Sequence, residues 1–202
     1  MRPFVALSFL LLATGPFYQA ATVPDSPPPP VAAKFLDLFD RLRTAQQVKA
    51  EEGKHQQVIF LFSEPEINEY LRYSLRITPR PGLDSMTVKV FAKDYVSTLT
   101  RVDFDALERW RPGIIPAALR PVLKGKKAIS IDFRIHAENS MVTFSVEKAR
   151  YENVPLPAIF VEKMIQVVAA RQPEKYDTSK PVPMPFGLRK VWTNAQTIQG
   201  RN

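Results

Sequence analysis

The chain has 202 residues, 45% of them hydrophobic and 24% charged, with 28 lysines and arginines against 20 aspartates and glutamates. That is a globular composition, and the length fits one domain whose core holds without staples. The absence of cysteine excludes disulfides, thiol nucleophiles, thiolate metal sites, iron–sulfur clusters and cysteine-anchored lipidation. The only histidines are His55 and His136, so a multi-histidine metal centre is not expected, and 7 glycines beside 19 prolines argue against a glycine-rich phosphate loop.

Residues 1–20 read as a signal peptide. Met1-Arg2 gives a positive start, and residues 4–13 (FVALSFLLLA) form an apolar run with Ser8 as its only polar member. A membrane span needs about 20 apolar residues, so this run has the size of a secretory core rather than a span. Gly15-Pro16 breaks it, and Gln19-Ala20-Ala21 offers small residues for cleavage. An uncleaved anchor is the alternative. No later segment is long and apolar enough to span, so the expected location is the periplasm or the exterior, soluble or peripheral to a membrane. Residues 21–30 contain VPDSPPPP, an extended polyproline linker. Residues 31–202 are expected to form a single domain.

Residues 31–52 have helical periodicity, with Phe35, Leu38, Phe39 and Leu42 on one stripe, an Asp37–Arg41 pair one turn apart, and Gly53 as a stop. Residues 57–62 (QVIFLF) predict a strand. Ser63 and Glu66 form a capping box for a helix whose buried stripe is Ile67, Tyr70, Leu71 and Leu75. Two hairpins follow. In the first, pairing 90 with 96, 88 with 98 and 86 with 100 brings the apolar residues to one face, with 92–94 as the turn. In the second, pairing 135 with 142, 133 with 144 and 131 with 146 does the same, with 137–140 as the loop. Between them, prolines restrict residues 104–127 to short helical turns. Residues 158–170 (AIFVEKMIQVVAA) predict a helix that is apolar on most sides, and 187–198 a last extended strand. The sum is an α+β fold, helices on one face of a twisted antiparallel sheet.

Little in this sequence carries chemistry. His136 shares a strand face with Asp132, but the two lie roughly 13 Å apart along a strand, beyond hydrogen-bond reach. No serine-hydrolase elbow, zinc-protease, dinucleotide or Walker motif is present. No enzyme activity, cofactor or metal is expected. From Arg109 to Lys127 there are six basic residues and no acid, interleaved with Trp110 and aliphatic residues. Two readings stand for this segment. It is a basic loop closing one end of the core, or Arg109, Trp110, Arg111, Lys124, Lys126 and Lys127 contact an anionic membrane or lipid head groups. Nucleic acid is not an expected partner, because the RNA-binding aromatic signature is missing.

Several short motifs carry a resemblance. Glu66-Ile67-Asn68 followed by Tyr70-Leu71 opens a helix before strands; Ile115-Pro116, then Gly125, precede a hairpin; Pro155-Leu156-Pro157 precedes an apolar helix; and Pro183-x-Pro185-Phe186-Gly187-Leu188 precedes the final strand. Over roughly residues 56–198 the chain resembles the LmeA- and YceB-like exported bacterial proteins, which are similar to the tubular lipid-binding (TULIP) superfamily. The resemblance implies a highly curved antiparallel sheet wrapped around a long apolar helix, here 158–170, with the 31–52 amphipathic helix as an addition. It also implies a non-enzymatic binder or carrier of lipid or phospholipid. Acyl chains would then lie against Phe133, Ile135, Phe144 and Val146 of the second hairpin and Phe160, Met164 and Val168 of the helix. This chain departs from the pattern in its strong positive charge, its proline-rich start and its lack of a lipoprotein cysteine. The alternative is an interaction module of the envelope that holds an acidic partner or polysaccharide on its basic face.

Overall fold

The computed structural model describes residues 27–110, 112–113, 115, 117, 120–157, 161 and 180–202. Helix α1 (Pro30–Glu52) begins with proline at its first position and ends at Gly53, whose left-handed backbone (φ 68°) lets its N–H bond the Lys49 carbonyl. Strand β1 (Ile59–Ser63) leads directly into α2 (Glu64–Ile77). The chain continues through β2 (Leu83–Val90), β3 (Tyr95–Asp103), α3 (Phe104–Trp110), β4 (Lys126–Glu138) and β5 (Met141–Tyr151). Short strands β6 (Val154–Leu156) and β7 (Val182–Pro183), a 3-10 turn at Pro185–Gly187, then β8 (Lys190–Asn194) and β9 (Thr197–Arg201) complete it. The whole is a mixed α+β structure built on a strongly curled antiparallel half barrel.

β4 is the spine of the sheet. One edge pairs with β5 along most of its length. The other edge pairs with β3 as far as Arg134, then passes to β8 at Ala137. Strands β2–β3 and β8–β9–β1 therefore leave the same edge of β4 in two directions, and the sheet curls. Asp94 stitches the seam. Its carbonyl accepts from the Ile135 N–H, and its carboxylate accepts from the Thr193 N–H at 2.8 Å. The Thr193 hydroxyl donates to the Phe91 carbonyl, and the Gln196 N–H to that of Val90.

The first hairpin has the expected register, Val90 opposite Val96, Val88 opposite Thr98 and Met86 opposite Thr100. The second is tighter than expected. Ile135 faces Phe144 rather than Val142, Phe133 faces Val146, and Glu138 faces Met141. Only Asn139 and Ser140 remain in the turn, both at positive φ (52° and 63°), the geometry whose twist matches a two-residue hairpin. A slip of two residues preserves the faces, so the inward set is unchanged until a bulge at Asp132/Phe133 puts Ile131 opposite Ala149. Residues 187–198 are not one strand. The chain reverses at Ala195-Gln196, with Gln196 at φ 61°, and β9 returns along β8. At the end of β3 the Asp103 carboxylate caps α3 by accepting from the Ala106 N–H at 2.8 Å, and Asp105 lies in that helix.

α2 covers the free edge of β2. Its start is the expected capping box: the Ser63 hydroxyl accepts from the Glu66 N–H, and the Glu66 carboxylate accepts from the Ser63 N–H at 2.7 Å. The same carboxylate pairs with Lys34 of α1. Burial opposes charge on Glu66, but hydrogen bonds from Lys34 and from the Ser63 backbone and hydroxyl outweigh it and hold its pKa below the ordinary 4.5. A depressed carboxylate stabilises the fold above its unfolded-state pKa, and that contribution disappears as pH falls through the folded value. Glu66→Gln should therefore melt below the parent at pH 7, with the gap closing as pH falls below the ordinary 4.5 and through the depressed folded-state value. Coincident melting curves at pH 7 would contradict this.

Candidate functional site

The concave side of the half barrel holds most of the core. The stripe Phe35, Leu38, Phe39 and Leu42 of α1 is buried against it, beside Ile67, Tyr70 and Leu71 of α2. Phe35 stacks between Phe62 (ring centroids 3.7 Å) and Tyr70 (4.4 Å). Phe39 meets Tyr70 edge-on and stacks on Phe186 of the 3-10 turn. These rings do not fill the space. A cavity of about 70 Å³ remains between α1, α2 and the inner faces of β1, β4, β5, β8 and β9. Its walls are almost entirely carbon. The polar residues on them are Tyr70, Asp94 and Thr193, with Trp192 at the margin. Burial, with Tyr73 beside it, pushes the Tyr70 phenol up to about 12, so it stays a neutral donor at any physiological pH.

Of the residues expected to line a lipid site, Ile135 and Phe144 are on the cavity wall. Phe133 is buried in the same core and meets Phe144 edge-on at 6.3 Å, but it is not part of the wall. Val146 is half-buried opposite Phe133 and is likewise off the wall. Phe160, Met164 and Val168 lie outside the described residues, as does Arg111. The walls that sequence reasoning missed come from α1, chiefly Phe35, Phe39 and Leu42, and from Tyr70. Their helical spacing signals a buried face without saying what it is buried against.

The basic segment does two things. Ile115 and Leu123 join Phe104 in a small second core that closes the far end of the sheet. Arg109, Trp110 and Lys124 are exposed and Lys127 is half-buried. Two of the segment's cations meet acids from outside it: Arg120 pairs with Glu108 at 2.9 Å and Lys126 with Asp84 at 2.8 Å. Glu108 also organises the loop, its two oxygens accepting from the N–H groups of Gly113 and Ile115. Lys126 and Ile135 lie on one strand, nine positions and roughly 30 Å apart. The basic cluster and the cavity are therefore at opposite ends of β4, and no single head group bridges them.

A second, polar depression of about 300 Å³ lies where α1 ends, lined by Gln46, Lys49, His55, Gln56 and Asn202. Its described walls bring no aspartate or glutamate side chain to His55. The Asn202 amide is already engaged, accepting from the Val58 N–H and donating to the Gln56 carbonyl. His136 is exposed on the convex face opposite Thr143. Comparison of the chain with protein-family models, curated proteins and solved structures finds no match.

Proposed function

We propose that the protein is an exported, non-enzymatic binder or carrier of acyl lipids that takes hydrocarbon between α1, α2 and the concave sheet. The observation that carries this reading is the carbon-walled cavity of about 70 Å³ at that place. A dry apolar void in a core costs packing energy and ordinarily closes, so one that persists beside flexible aromatic walls is a seat for an apolar guest. The volume is about half that of an engineered 150 Å³ cavity that admits benzene, which favours one slender chain over paired chains or fused rings. A longer guest requires α1 to move outward. That helix is held by one apolar stripe and the Lys34–Glu66 pair, and a segment without helix or strand, residues 53–58, follows it.

The resemblance to LmeA- and YceB-like proteins supports the same reading, as does the secretory character of residues 1–20. The finer architecture, a curved sheet wrapped around 158–170, belongs to this proposal. So does contact of Arg109, Trp110, Lys124 and Lys127 with an anionic membrane surface, where the exposed Trp110 supplies an interfacial ring. The close Phe35–Phe62 stack favours a second reading, an envelope interaction module with a filled core. Native mass spectrometry separates the two. Protein purified gently from a bacterial envelope should carry a co-extracted acyl lipid. Lipid-free spectra together with no uptake of a fluorescent fatty acid would overturn the binder and leave the module.

A further inference from the structure

The apolar cavity and the polar depression share a wall. Among the described residues Phe186 alone lines both. Three stretches of chain run from one space into the other. On α1, Leu42 lines the cavity, and Ala45 and Gln46, one turn on, line the depression. Phe60 of β1 lines the cavity, and Gln56, four residues before it, the depression. In the turn after β7, Met184 and Leu188 line the cavity and Gly187 the depression. The two spaces therefore lie end to end, with Phe186 as the partition. Phe186 stacks on Phe39 at 5.9 Å and holds φ 55°, ψ 24°, a left-handed conformation that an aromatic residue seldom adopts. Such strained residues persist only where their surroundings hold them, and they cluster at ligand clamps and switches.

The depression has the chemistry that the cavity lacks. Lys49 brings a cation, and Gln46, His55 and Gln56 bring hydrogen-bonding groups, with no aspartate or glutamate side chain on the described walls. The two acids that end α1 are engaged with neighbours: Glu51 accepts from Gln47 at 2.9 Å, and Glu52 pairs with Lys54 at 2.8 Å. Lys49 lies seven residues beyond Leu42, about 10 Å along the helix. One slender molecule can reach both, hydrocarbon beside Leu42 and a polar end at Lys49. We propose that the depression is the mouth of the cavity: Lys49 receives the anionic head of a single-chain lipid, a carboxylate or a phosphate, and the chain passes Phe186 to enter. This rests on the lipid-binding reading and adds to it the head-group site, the charge it selects and the residue that controls entry.

The test is equilibrium dialysis of radiolabelled dodecanoic acid, dodecyl phosphate and dodecanol against the parent protein, Lys49→Gln and Lys49→Glu. Lys49 is exposed, so both variants should fold. Lys49→Gln should bind the anionic lipids about three- to tenfold more weakly, the scale of one partly solvated charged contact, and dodecanol within twofold of the parent. Lys49→Glu should lose more of the anionic lipids and none of the alcohol. The anion that the parent holds more tightly, and that loses more in both variants, assigns the head as carboxylate or phosphate. Stopped-flow uptake then tests the partition. Phe186→Ala should raise the association rate of the preferred lipid at least threefold, and Phe186→Leu, which keeps an apolar side chain against Phe39, should fall between. A parent that binds these lipids while both Lys49 variants bind them equally well, or lose dodecanol to the same degree, overturns the head-group site and leaves the lipid reading standing. Unchanged association rates in both Phe186 variants overturn entry past that ring. A parent that binds none of the three overturns the lipid reading as well.

Discussion

Replacing Asn68 by leucine is expected to lower folding stability by about 2–4 kcal/mol, although the volume is nearly conserved. The side-chain amide of Asn68 serves the edge of β2 as a neighbouring strand would. Its Nδ2 donates to the Val88 carbonyl at 2.8 Å, and its Oδ1 accepts from the Val88 N–H at 2.7 Å. Nδ2 also donates to the Glu64 carbonyl at 3.0 Å, which fixes the rotamer within the first turns of α2. One turn earlier, the Glu64 carboxylate accepts from the Val90 N–H at 2.8 Å. Leucine leaves both polar groups of Val88 without partners under a covering helix, and each orphaned group costs about 1–3 kcal/mol. Asn68→Asp keeps the acceptor and loses the donor, so it should fall between the parent and leucine. Urea unfolding reads the effect as a lower midpoint at unchanged slope. A leucine variant that unfolds with the parent would show that water already reaches the β2 edge.

That result bears on what a sequence can reveal. Glu66, Ile67, Asn68, Tyr70 and Leu71 drew attention as a motif, and each now has a physical task. Glu66 closes the capping box, Ile67 and Leu71 fill the core, Asn68 holds the β2 edge, and Tyr70 faces the cavity. Capping and stripe were legible because both are local. The Asn68 clamp was not, since it joins residues twenty positions apart. The first hairpin could be read from alternation because its faces differ sharply in polarity. The second had the correct faces but a register two residues off, because its turn uses Asn139-Ser140 where sequence rules look for Asn-Gly. β8 and β9 read as one strand for a related reason: Gln196 makes the reversal at positive φ without glycine or proline to announce it.

The site was legible only in part. Alternation along β4 and β5 identified the inward residues, and two of them, Ile135 and Phe144, reach the cavity. Alternation does not report where along a strand an opposing helix ends, so Phe133 and Val146, one step further on, fall in solid core or half-exposed sheet. The basic segment and the cavity wall are separated by only a few residues of sequence, Lys127 to Ile135. An extended strand turns nine residues into roughly 30 Å, and that distance separates a membrane-contact surface from an acyl seat.

Leu42→Ala is expected to cost about 2–5 kcal/mol in the ligand-free protein and to gain more from an acyl ligand than the parent does. Leu42 is 1% exposed, lies on the α1 stripe and forms part of the cavity wall. Truncation removes buried methyl groups next to a void that is already present, so the walls have little to collapse onto and the loss should sit toward the upper end. The enlarged void is continuous with the seat for hydrocarbon. A ligand that binds only the folded state stabilises it by about 2.7 kcal/mol at a hundredfold excess over its dissociation constant. The variant, with more room, should take lauric acid more tightly and so recover a larger share of its lost melting temperature. Leu123→Ala, in the small core at the far end of the sheet, supplies the control: a similar truncation with no rescue. Equal ligand-induced shifts in the parent and both variants would mean that fatty acid binds away from this cavity. A selective shift in the Leu42 variant would place the bound chain beside α1.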